Sequence, residues 1–305
     1  MIHGMRVLVA AALACAPVLV HAQRERYAPL IVQLPVSARS LALGGGVSTL
    51  RDAESVFGNP ALVGGNNALS VSGGRYGSGA STGHASTTMS IGMLGIGVGV
   101  AMLDARLRFA EFPARSAVLT TDGALASSSL AATVGASLMF KGIRWGGAVK
   151  YIEERVSDVR AGVVAGDIGV SKDLRNGAFA AGLVVQNIGR PLQLGPTRAQ
   201  LPMRVSLGVA GGGYAIGKYL DAGASASVAV RRDGRVFPSG GSEFVFTPIE
   251  GISLATRVGA RTPELRAQRP FTIGSGVTVD RLTIDYAWED MRGKGGAHRV
   301  TLRLR

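Results

Sequence analysis

The feature that most constrains the fold of this chain is an alternation of two side-chain types with a period of two residues, which continues from Asn67 to the last residue. Between Leu94 and Met102, large apolar residues occupy every second position, and the positions between them hold glycine or alanine. Successive side chains of a strand point to opposite faces, so the pattern predicts strands with one apolar face and one polar or small face. After the first twenty residues, no apolar run reaches the ~18 residues that a membrane-spanning helix requires.

The composition favours a membrane setting for these strands. Charged residues make up 17% of the 305 residues, glycine occurs 44 times, and the mean hydropathy is +0.26, which together are unusual for a soluble enzyme. In lipid, only helices and closed barrels satisfy every backbone polar group internally. The sequence therefore predicts an all-β protein, a transmembrane antiparallel up-and-down barrel with apolar side chains outward and polar or small ones inward. A soluble β-sandwich, which also alternates, is the alternative fold.

Fourteen segments carry the alternation, an even number as in bacterial single-chain barrels. They are 67–76, 82–92, 94–104, 128–140, 143–156, 163–173, 178–188, 202–211, 219–231, 240–247, 252–262, 270–279, 281–288 and 297–305. Tight turns at Lys141-Gly142 and Arg175-Asn176-Gly177 alternate with longer connections. The longer connections are 105–127, 190–201 and 289–296. This predicts short turns on one rim of the barrel and loops on the other.

Aromatic residues near the strand ends are candidates for the girdle that such barrels place at the membrane–water interface. They are Trp145, Tyr151, Phe244, Phe246, Phe271, Tyr286 and Trp288. Outer-membrane lipid is therefore an expected partner of the outer face.

Residues 1–22 have the pattern of a secretory signal peptide. Arg6 supplies a short positive region, Val7–Ala16 form an apolar region, and Val20–Ala22 fit a cleavage site. The segment is predicted to direct export to the bacterial outer membrane and to be removed. Cys15, the only cysteine, lies in it, so the mature chain has no disulfide, thiol nucleophile or cysteine metal ligand. A lipidated Cys15 is the alternative, disfavoured because no leucine stands three positions before it.

Two regions follow the signal peptide. Residues 23–66 form an N-terminal leader, and residues 67–305 form the barrel. Within the leader, a short helix is expected from Asp52 to Val56 with Asp52 as its N-cap. Pro60 is expected to end this turn, because proline disfavours helical backbone at the residue before it.

The chain is strongly basic, with a formal net charge of +13 and a pI of about 10.8. The basic residues do not cluster on a helix, and no aromatic platform for RNA is present, so nucleic acid is not an expected partner. In a barrel, arginines fit the lumen, the loops and the phosphates of lipid headgroups. The candidate luminal cations are Arg144, Lys150, Arg257, Arg261 and Arg299. Such cations can attract a carboxylate headgroup.

Several apparent catalytic motifs fail on their context. Gly79–Gly83 matches the G-x-S-x-G pattern around Ser81, but that motif requires a following helix and here a strand pattern follows. His84 and His298 are far apart in sequence and give no local metal site. Three acid pairs are expected to be solvated in turns: Asp52 with Glu54, Glu153 with Glu154, and Glu289 with Asp290. No catalytic residue, cofactor or metal site is therefore predicted.

An ordered set of motifs resembles the PorV/PorQ family, which is similar to the FadL-like fatty-acid channels. The motifs are Ala38–Gly45, Ala53–Leu62, Gly166–Val170, Gly182–Gly189, Leu201–Gly208, Thr283–Trp288 and His298–Val300. The resemblance implies a fourteen-stranded barrel with a small N-terminal plug in its lumen. It also implies that Asn59, Pro60 and Ala61 lie in the plug, as candidate ligand contacts. The sequence departs from such barrels at its end, where Leu304-Arg305 replace the usual aromatic residue.

Three functions follow as hypotheses. The resemblance implies a non-enzymatic accessory to protein export, similar to a type IX secretion component, with secretion proteins or cargo captured at loops 105–127 and 190–201. The alternative is a FadL-like passive channel for hydrophobic small molecules. The remote enzyme alternative is a barrel lipid hydrolase with Ser81 as nucleophile.

Overall fold

The computed structural model describes residues 28–46, 48–49, 51–65, 67–108, 124–175, 177–265, 267–292 and 295–305. The predicted signal peptide therefore lies outside the described residues, together with Cys15. Most of the predicted 105–127 loop lies outside them as well.

Within the described residues the chain forms sixteen strands. They are β1 (Ala68–Tyr76), β2 (Ser81–Ile91), β3 (Leu94–Arg108), β4 (Ala124–Phe140), β5 (Ile143–Val156), β6 (Val159–Leu174), β7 (Phe179–Gly189), β8 (Leu192–Leu194), β9 (Thr197–Ala199), β10 (Arg204–Ala215), β11 (Leu220–Arg231), β12 (Val236–Ile249), β13 (Ile252–Arg261), β14 (Gln268–Val279), β15 (Leu282–Met291) and β16 (Gly296–Leu304). All except β8 and β9 pair in one closed antiparallel barrel, in which β7 neighbours β10 and β16 neighbours β1. The predicted fourteen-stranded barrel is confirmed.

All three predicted loops are wrong in detail. The 105–127 loop is shorter than predicted, because β3 continues to Arg108 and β4 begins at Ala124. The 190–201 connection contains the small hairpin of β8 and β9. The 289–296 loop shrinks to residues 292–295, because β15 continues to Met291. Strand β12 also starts four residues earlier than predicted, at Val236, and includes Pro238. Proline lacks the N–H that a ladder uses, so a proline within a strand is unusual.

The two rims differ in the length of their connections. We call the rim where β1 begins and β16 ends the terminal rim, and the opposite one the loop rim. The terminal-rim turns are 92–93, 141–142, 175–178, 216–219, 250–251 and 280–281. The loop-rim connections are 77–80, 109–123, 157–158, 190–203, 232–235, 262–267 and 292–295. The longest connections lie on the loop rim.

The outer face of the barrel is apolar. On β3, Val98, Val100 and Met102 are exposed, while the small residues between them are buried, which is the arrangement that the alternation predicts. The seven predicted girdle aromatics are all exposed on this face. Three cation–ring pairs lie at the terminal rim: Lys141 with Phe140 at 5.3 Å, Arg175 with Phe179 at 5.9 Å, and Lys218 with Tyr219 at 5.0 Å. Aromatic rings with neighbouring cations are typical of a membrane–water interface.

No helix in the described part of the chain is both long enough and apolar enough to span a membrane.

The N-terminal region from Ala28 to Gly65 fills the lumen as a plug. It contains one short α-helix, α1 (Ala38–Ala42), and 3-10 turns at Leu30–Gln33, Ala53–Phe57 and Pro60–Leu62. Near the loop rim, the Ala28 N–H donates to the Gln200 carbonyl at 3.1 Å. Near the terminal rim, the Gly65 N–H donates to the Ser90 hydroxyl at 2.7 Å. The plug therefore runs the length of the lumen before the chain enters β1.

Both predictions about the plug's turns need correction. Asp52 stands at the N-cap of Ala53–Phe57, but its side chain makes no capping hydrogen bond. Pro60 begins a second 3-10 turn instead of only ending the first. Proline suits this position because the first N–H of a turn has no internal partner. Asn59 caps the second turn, since its Oδ1 accepts from the Ala61 N–H at 3.1 Å.

Candidate functional site

Glycines on the inner wall let the plug approach the strands at backbone distance. A Cβ added to Gly146 on β5 would overlap the backbone of Pro60 and Ala61, and one on Gly169 on β6 would overlap the Asn59 side chain. On the other side of the lumen, a Cβ on Gly241 would lie 2.7 Å from the Cα of Leu43. A further wall glycine, Gly274, would place its Cβ 2.6 Å from that of Ala42. Plug atoms therefore fill the space that side chains would otherwise take at these inward-facing glycines.

The predicted plug residues Asn59, Pro60 and Ala61 are fully buried in this contact. Besides capping Ala61, Asn59 donates from Nδ2 to the Ser48 carbonyl at 3.0 Å. It also lies 3.4 Å from the Val170 carbonyl on β6. These contacts join two parts of the plug to the wall, so the three residues form a packed seal in this structure. A ligand role for them remains a proposal.

Six charged residues form a closed ring that ties the plug to the barrel. Each member pairs with two of opposite sign; in order they are Arg39, Asp52, Arg303, Asp285, Arg257 and Glu243, which returns to Arg39. The N–O distances include 2.9 Å for Arg39–Asp52, 2.5 Å for Arg303–Asp52, 2.7 Å for Arg257–Asp285 and 3.0 Å for Arg39–Glu243. Outside the ring, Arg305 also pairs with Asp52, at 2.6 Å.

This ring joins the plug to four strands, β12, β13, β15 and β16. Asp285 is fully buried, and it accepts from both Arg257 and Arg303. Charges taken out of water are tolerated only when each is paired and hydrogen-bonded. The complete ring meets this condition, so removal of one member leaves its partners buried without compensation.

Glu54 lies beside this ring without a cation in hydrogen-bond contact. Its Oε1 accepts from the Ser70 hydroxyl at 2.5 Å, and its Oε2 is buried with no partner among the described residues. Burial, and then the charge of Asp52, raise the pKa of the Glu54 carboxyl. A raised pKa favours the neutral acid in the folded plug.

We expect Glu54→Gln to remove a pH dependence of stability. The unfolded chain ionises Glu54 in the ordinary carboxyl range, whereas the folded plug keeps its proton. The stabilising contribution is therefore present below the ordinary pKa and is lost as pH rises through the raised one. Thermal melts from pH 4 to 8 should show a wild-type decline that is smaller in Glu54→Gln. Glu250→Gln, in an exposed turn, should retain the wild-type profile; an unchanged profile for Glu54→Gln would contradict the assignment.

The five predicted luminal cations all lie on the inner face, but in different settings. Lys150 is paired, at 2.7 Å from Asp167, and also donates to the Asn187 Oδ1 at 3.0 Å. Arg261 is paired with Glu289 at 2.6 Å. Arg257 belongs to the charge ring. These three are neutralised within the protein and offer no free charge to a ligand.

Arg299 and Arg144 differ, because neither has a carboxylate within ion-pair distance in the described part of the chain. Arg299 is 1% exposed, and its guanidinium donates to three neutral acceptors. They are His84 Nδ1 at 3.2 Å, Tyr76 Oη at 3.2 Å and Thr82 Oγ1 at 3.0 Å. Arg144 lies at the terminal rim against the backbone of Gly64 and Gly65. It lines a small cavity of about 170 Å³ together with Met93 and Met139.

Four acids that the sequence analysis expected in solvent are instead buried, so that prediction is wrong. They are Asp52, Glu54, Glu154 and Glu289. For Glu289 the alternation could have predicted burial, because this residue lies on the inward face of β15 with Thr283 and Asp285. Pairing with luminal arginines explains how a low-dielectric interior holds two of these acids, Asp52 and Glu289.

The apparent catalytic motifs have no catalytic geometry. Ser81 is the exposed first residue of β2, and a strand follows it instead of the helix that the motif needs. His84 points into the lumen, whereas His298 is exposed on the outer face beside Tyr286. The two histidines therefore lie on opposite sides of the barrel wall.

A cavity of about 220 Å³ lies between plug and wall on the terminal-rim side. Its lining is mostly small residues of β7, β10 and β11, with four charged side chains at its edges. The charged residues are Arg39, Arg51, Asp173 and Glu243.

A second interior feature is an apolar cluster in the loop-rim half of the lumen. We call it the luminal apolar cluster. Its wall members are Ala101, Leu103, Ala131, Ile152, Ala165 and Leu201, and its plug members are Ile31 and Leu34. The cluster contrasts with the charged terminal-rim half.

The closed fourteen-stranded barrel is similar in fold to several solved transporters and channels. The fold is similar to that of the Pseudomonas putida toluene transporter TodX, at 12% identity and a TM-score of 0.59 over 88% of this chain and 96% of that one. It is similar to the CymD monoaromatic hydrocarbon channel, at 10% identity and a TM-score of 0.60 over 91% and 97% of the two chains. A Pseudomonas aeruginosa FadL homologue shares it at 11% identity and a TM-score of 0.55 over 92% and 98%.

The sequence comparisons add no family assignment. No protein-family model matches the chain, and no curated protein is significantly similar to it in sequence. The FadL-like part of the predicted resemblance is thus supported by structure, whereas the PorV/PorQ part is not shown.

Proposed function

We propose that this protein is a non-enzymatic outer-membrane channel that lets hydrophobic small molecules cross passively. The observation that carries the proposal is the luminal apolar cluster. Porin lumens that conduct polar solutes are polar and water-filled. Here leucine, isoleucine and alanine side chains from wall and plug pack into an apolar core inside the barrel. Such an apolar interior favours solutes that water excludes.

The orientation follows from the connections. Outer-membrane barrels place short turns in the periplasm and long loops outside the cell. The terminal rim is then periplasmic, and the luminal apolar cluster faces the external side, where a solute arrives. Export would depend on the predicted signal peptide in residues 1–22. The similar solved structures include a toluene transporter and a monoaromatic hydrocarbon channel, which supports the same substrate class.

We expect Leu103→Asn to weaken toluene uptake. Leu103 points into the luminal apolar cluster and is 4% exposed. Loss of its apolar contact should reduce uptake at low toluene concentration by about tenfold, the factor that 1.4 kcal/mol represents. The measurement is uptake of labelled toluene by cells of a heterologous host that lacks such a channel. Met102→Ala changes the preceding residue, whose side chain lies on the lipid face, and is the matched control.

Two outcomes would count against the function itself. If the wild-type protein, folded in the outer membrane, gives no uptake above empty cells, the channel proposal fails. If Leu103→Asn takes up toluene as fast as Met102→Ala, the luminal apolar cluster is not on the route. Correct folding is checked in each case by the mobility shift between unboiled and boiled samples on a gel.

The export-accessory function has no comparable support. The 109–123 connection lies outside the described residues, and the 190–203 connection is largely taken up by the β8–β9 hairpin. The similar solved structures are transporters and channels. No secretion partner or cargo site is therefore proposed.

A further inference from the structure

We infer that solutes leave the lumen through one sector of the plug–wall boundary, formed by β7, β10 and β11, and that this sector admits small uncharged molecules. We call it the exit sector. The inference rests on the proposed channel function and adds the route and the size and charge limits of the solute.

Apart from the 170 Å³ cavity at Arg144, the described plug residues lie in close contact with the strands on the other sides of the lumen. On β3, β5 and β6, wall glycines touch the plug backbone or the Asn59 side chain, so no solute fits between them. On β12, β13 and β14, Gly241, Gly259 and Gly274 contact the plug between Ala42 and Gly44. On β15 and β16 the charge ring closes the gap, and the Ala38 N–H donates to the Thr301 hydroxyl at 2.8 Å.

The exit sector differs from this seal in having space. The 220 Å³ cavity lies here, and its lining side chains on β7, β10 and β11 are no larger than serine, as at Ala180, Ala210 and Ser225. Gly177 and Ala178 of the terminal-rim turn also line it, so the cavity reaches that rim. A Cβ on Gly223 would meet only other wall atoms and no plug atom within 4 Å.

Ser48 closes the inner end of the cavity. Its hydroxyl lies against Gly208 of β10, and it has no hydrogen-bond partner among the described residues. The Ser48 carbonyl is held by the single hydrogen bond from Asn59. Among the described residues, the barrier between cavity and lumen is therefore Ser48, through its hydroxyl against Gly208 and its carbonyl against Gly182 of β7.

The charges at the cavity cancel. Arg51 pairs with Asp173, and Arg39 pairs with Glu243 at 3.0 Å. Two cations and two anions thus present no net charge to a solute. A charged solute would have to give up its hydration without gaining a free counter-charge, which is unfavourable in a confined space. The cavity therefore suits compact neutral molecules.

The test fills the cavity from the wall. Ser225→Phe places an aromatic ring in the cavity, whereas Ala226→Phe places the same ring on the lipid face of the same strand. We expect toluene uptake to fall by about tenfold or more in Ser225→Phe and to stay at the wild-type rate in Ala226→Phe. Conversely, Ser48→Gly should raise uptake and admit larger aromatic hydrocarbons, because it removes the side chain at the inner end.

A thiol variant covers the case in which Ser225→Phe does not fold. Ser225→Cys introduces a thiol into a mature chain that has none once the signal peptide is removed. A bulky methanethiosulfonate reagent should then block uptake, and a reducing agent should restore it. The identically treated Ala226→Cys protein should be unaffected.

The failures are distinguishable. If wild-type cells take up no toluene, the proposed function fails and the exit sector with it. If wild-type uptake is present but folded Ser225→Phe and thiol-modified Ser225→Cys retain it, the channel stands and the exit sector is wrong. If Ser48→Gly leaves both rate and size limit unchanged, Ser48 is not the barrier and this route is overturned.

Discussion

Asp285→Ala will destabilise the folded protein by about 3–5 kcal/mol, the cost of removing one partner from a buried ion pair. Asp285 has no exposure and accepts from Arg257 and Arg303, so its loss leaves two buried guanidinium groups short of a counter-charge. We expect the temperature at which the unboiled gel band is lost to fall by many degrees. The plug should also become accessible to added protease, because Arg303 holds it through Asp52.

The matched control lies on the same strand. Asp290 pairs with Arg269 at 2.7 Å, but both side chains are substantially exposed, at 39% and 55%. Exposed ion pairs contribute about 0–1 kcal/mol, so Asp290→Ala should behave almost as wild type. Equal melting temperatures for the two variants would show that the charge ring does not hold the structure together.

Gly146→Val will displace the plug and make the barrel leaky. The new side chain would occupy the space of the Pro60–Ala61 backbone, which cannot yield without moving the whole turn. Overpacking of this kind costs about 1–3 kcal/mol and is relieved when the plug leaves its seat. We expect higher single-channel conductance in planar bilayers and greater sensitivity of cells to large antibiotics.

Gly147→Val provides a control at the adjacent position. Gly147 faces outward, and the nearest atom to an added Cβ is the Asp167 carbonyl oxygen at 3.9 Å. Valine is a favourable strand residue, so this variant should fold and conduct as wild type. If Gly146→Val has the same conductance and antibiotic sensitivity as Gly147→Val, the plug does not seal against β5.

Much of the barrel was predictable because a strand has only two faces. Once the period of two is recognised, every side chain is assigned to lipid or lumen, and a slip of one residue would invert all of them. On β5, Trp145 was assigned outward and Lys150 inward, and both lie there. The closed barrel follows because an unpaired strand edge in lipid would leave backbone N–H and C=O groups without hydrogen bonds.

The interior pairing was not predictable by the same reasoning. Alternation places Arg303 in the lumen but says nothing of its partner, and Asp52 is 251 residues away in the chain. Asp52 does stand at the N-cap, but its side chain pairs with arginines instead of capping the turn, and a short sequence window reveals only the local role. The exit sector depends on which wall glycines the plug occupies, and that is set by the path of the plug through the lumen.

The position of Arg303 has a consequence for the order of assembly. Because synthesis proceeds from the plug to β16, Asp52 is made long before Arg303, the β16 residue that neutralises it. Asp285 is likewise made before Arg303. The plug, made early in synthesis, is locked by a strand that is made much later. A chain that stalls before β16 joins β1 would keep an unsecured plug and an open sheet together, so closure of the sheet and locking of the plug should occur as one event.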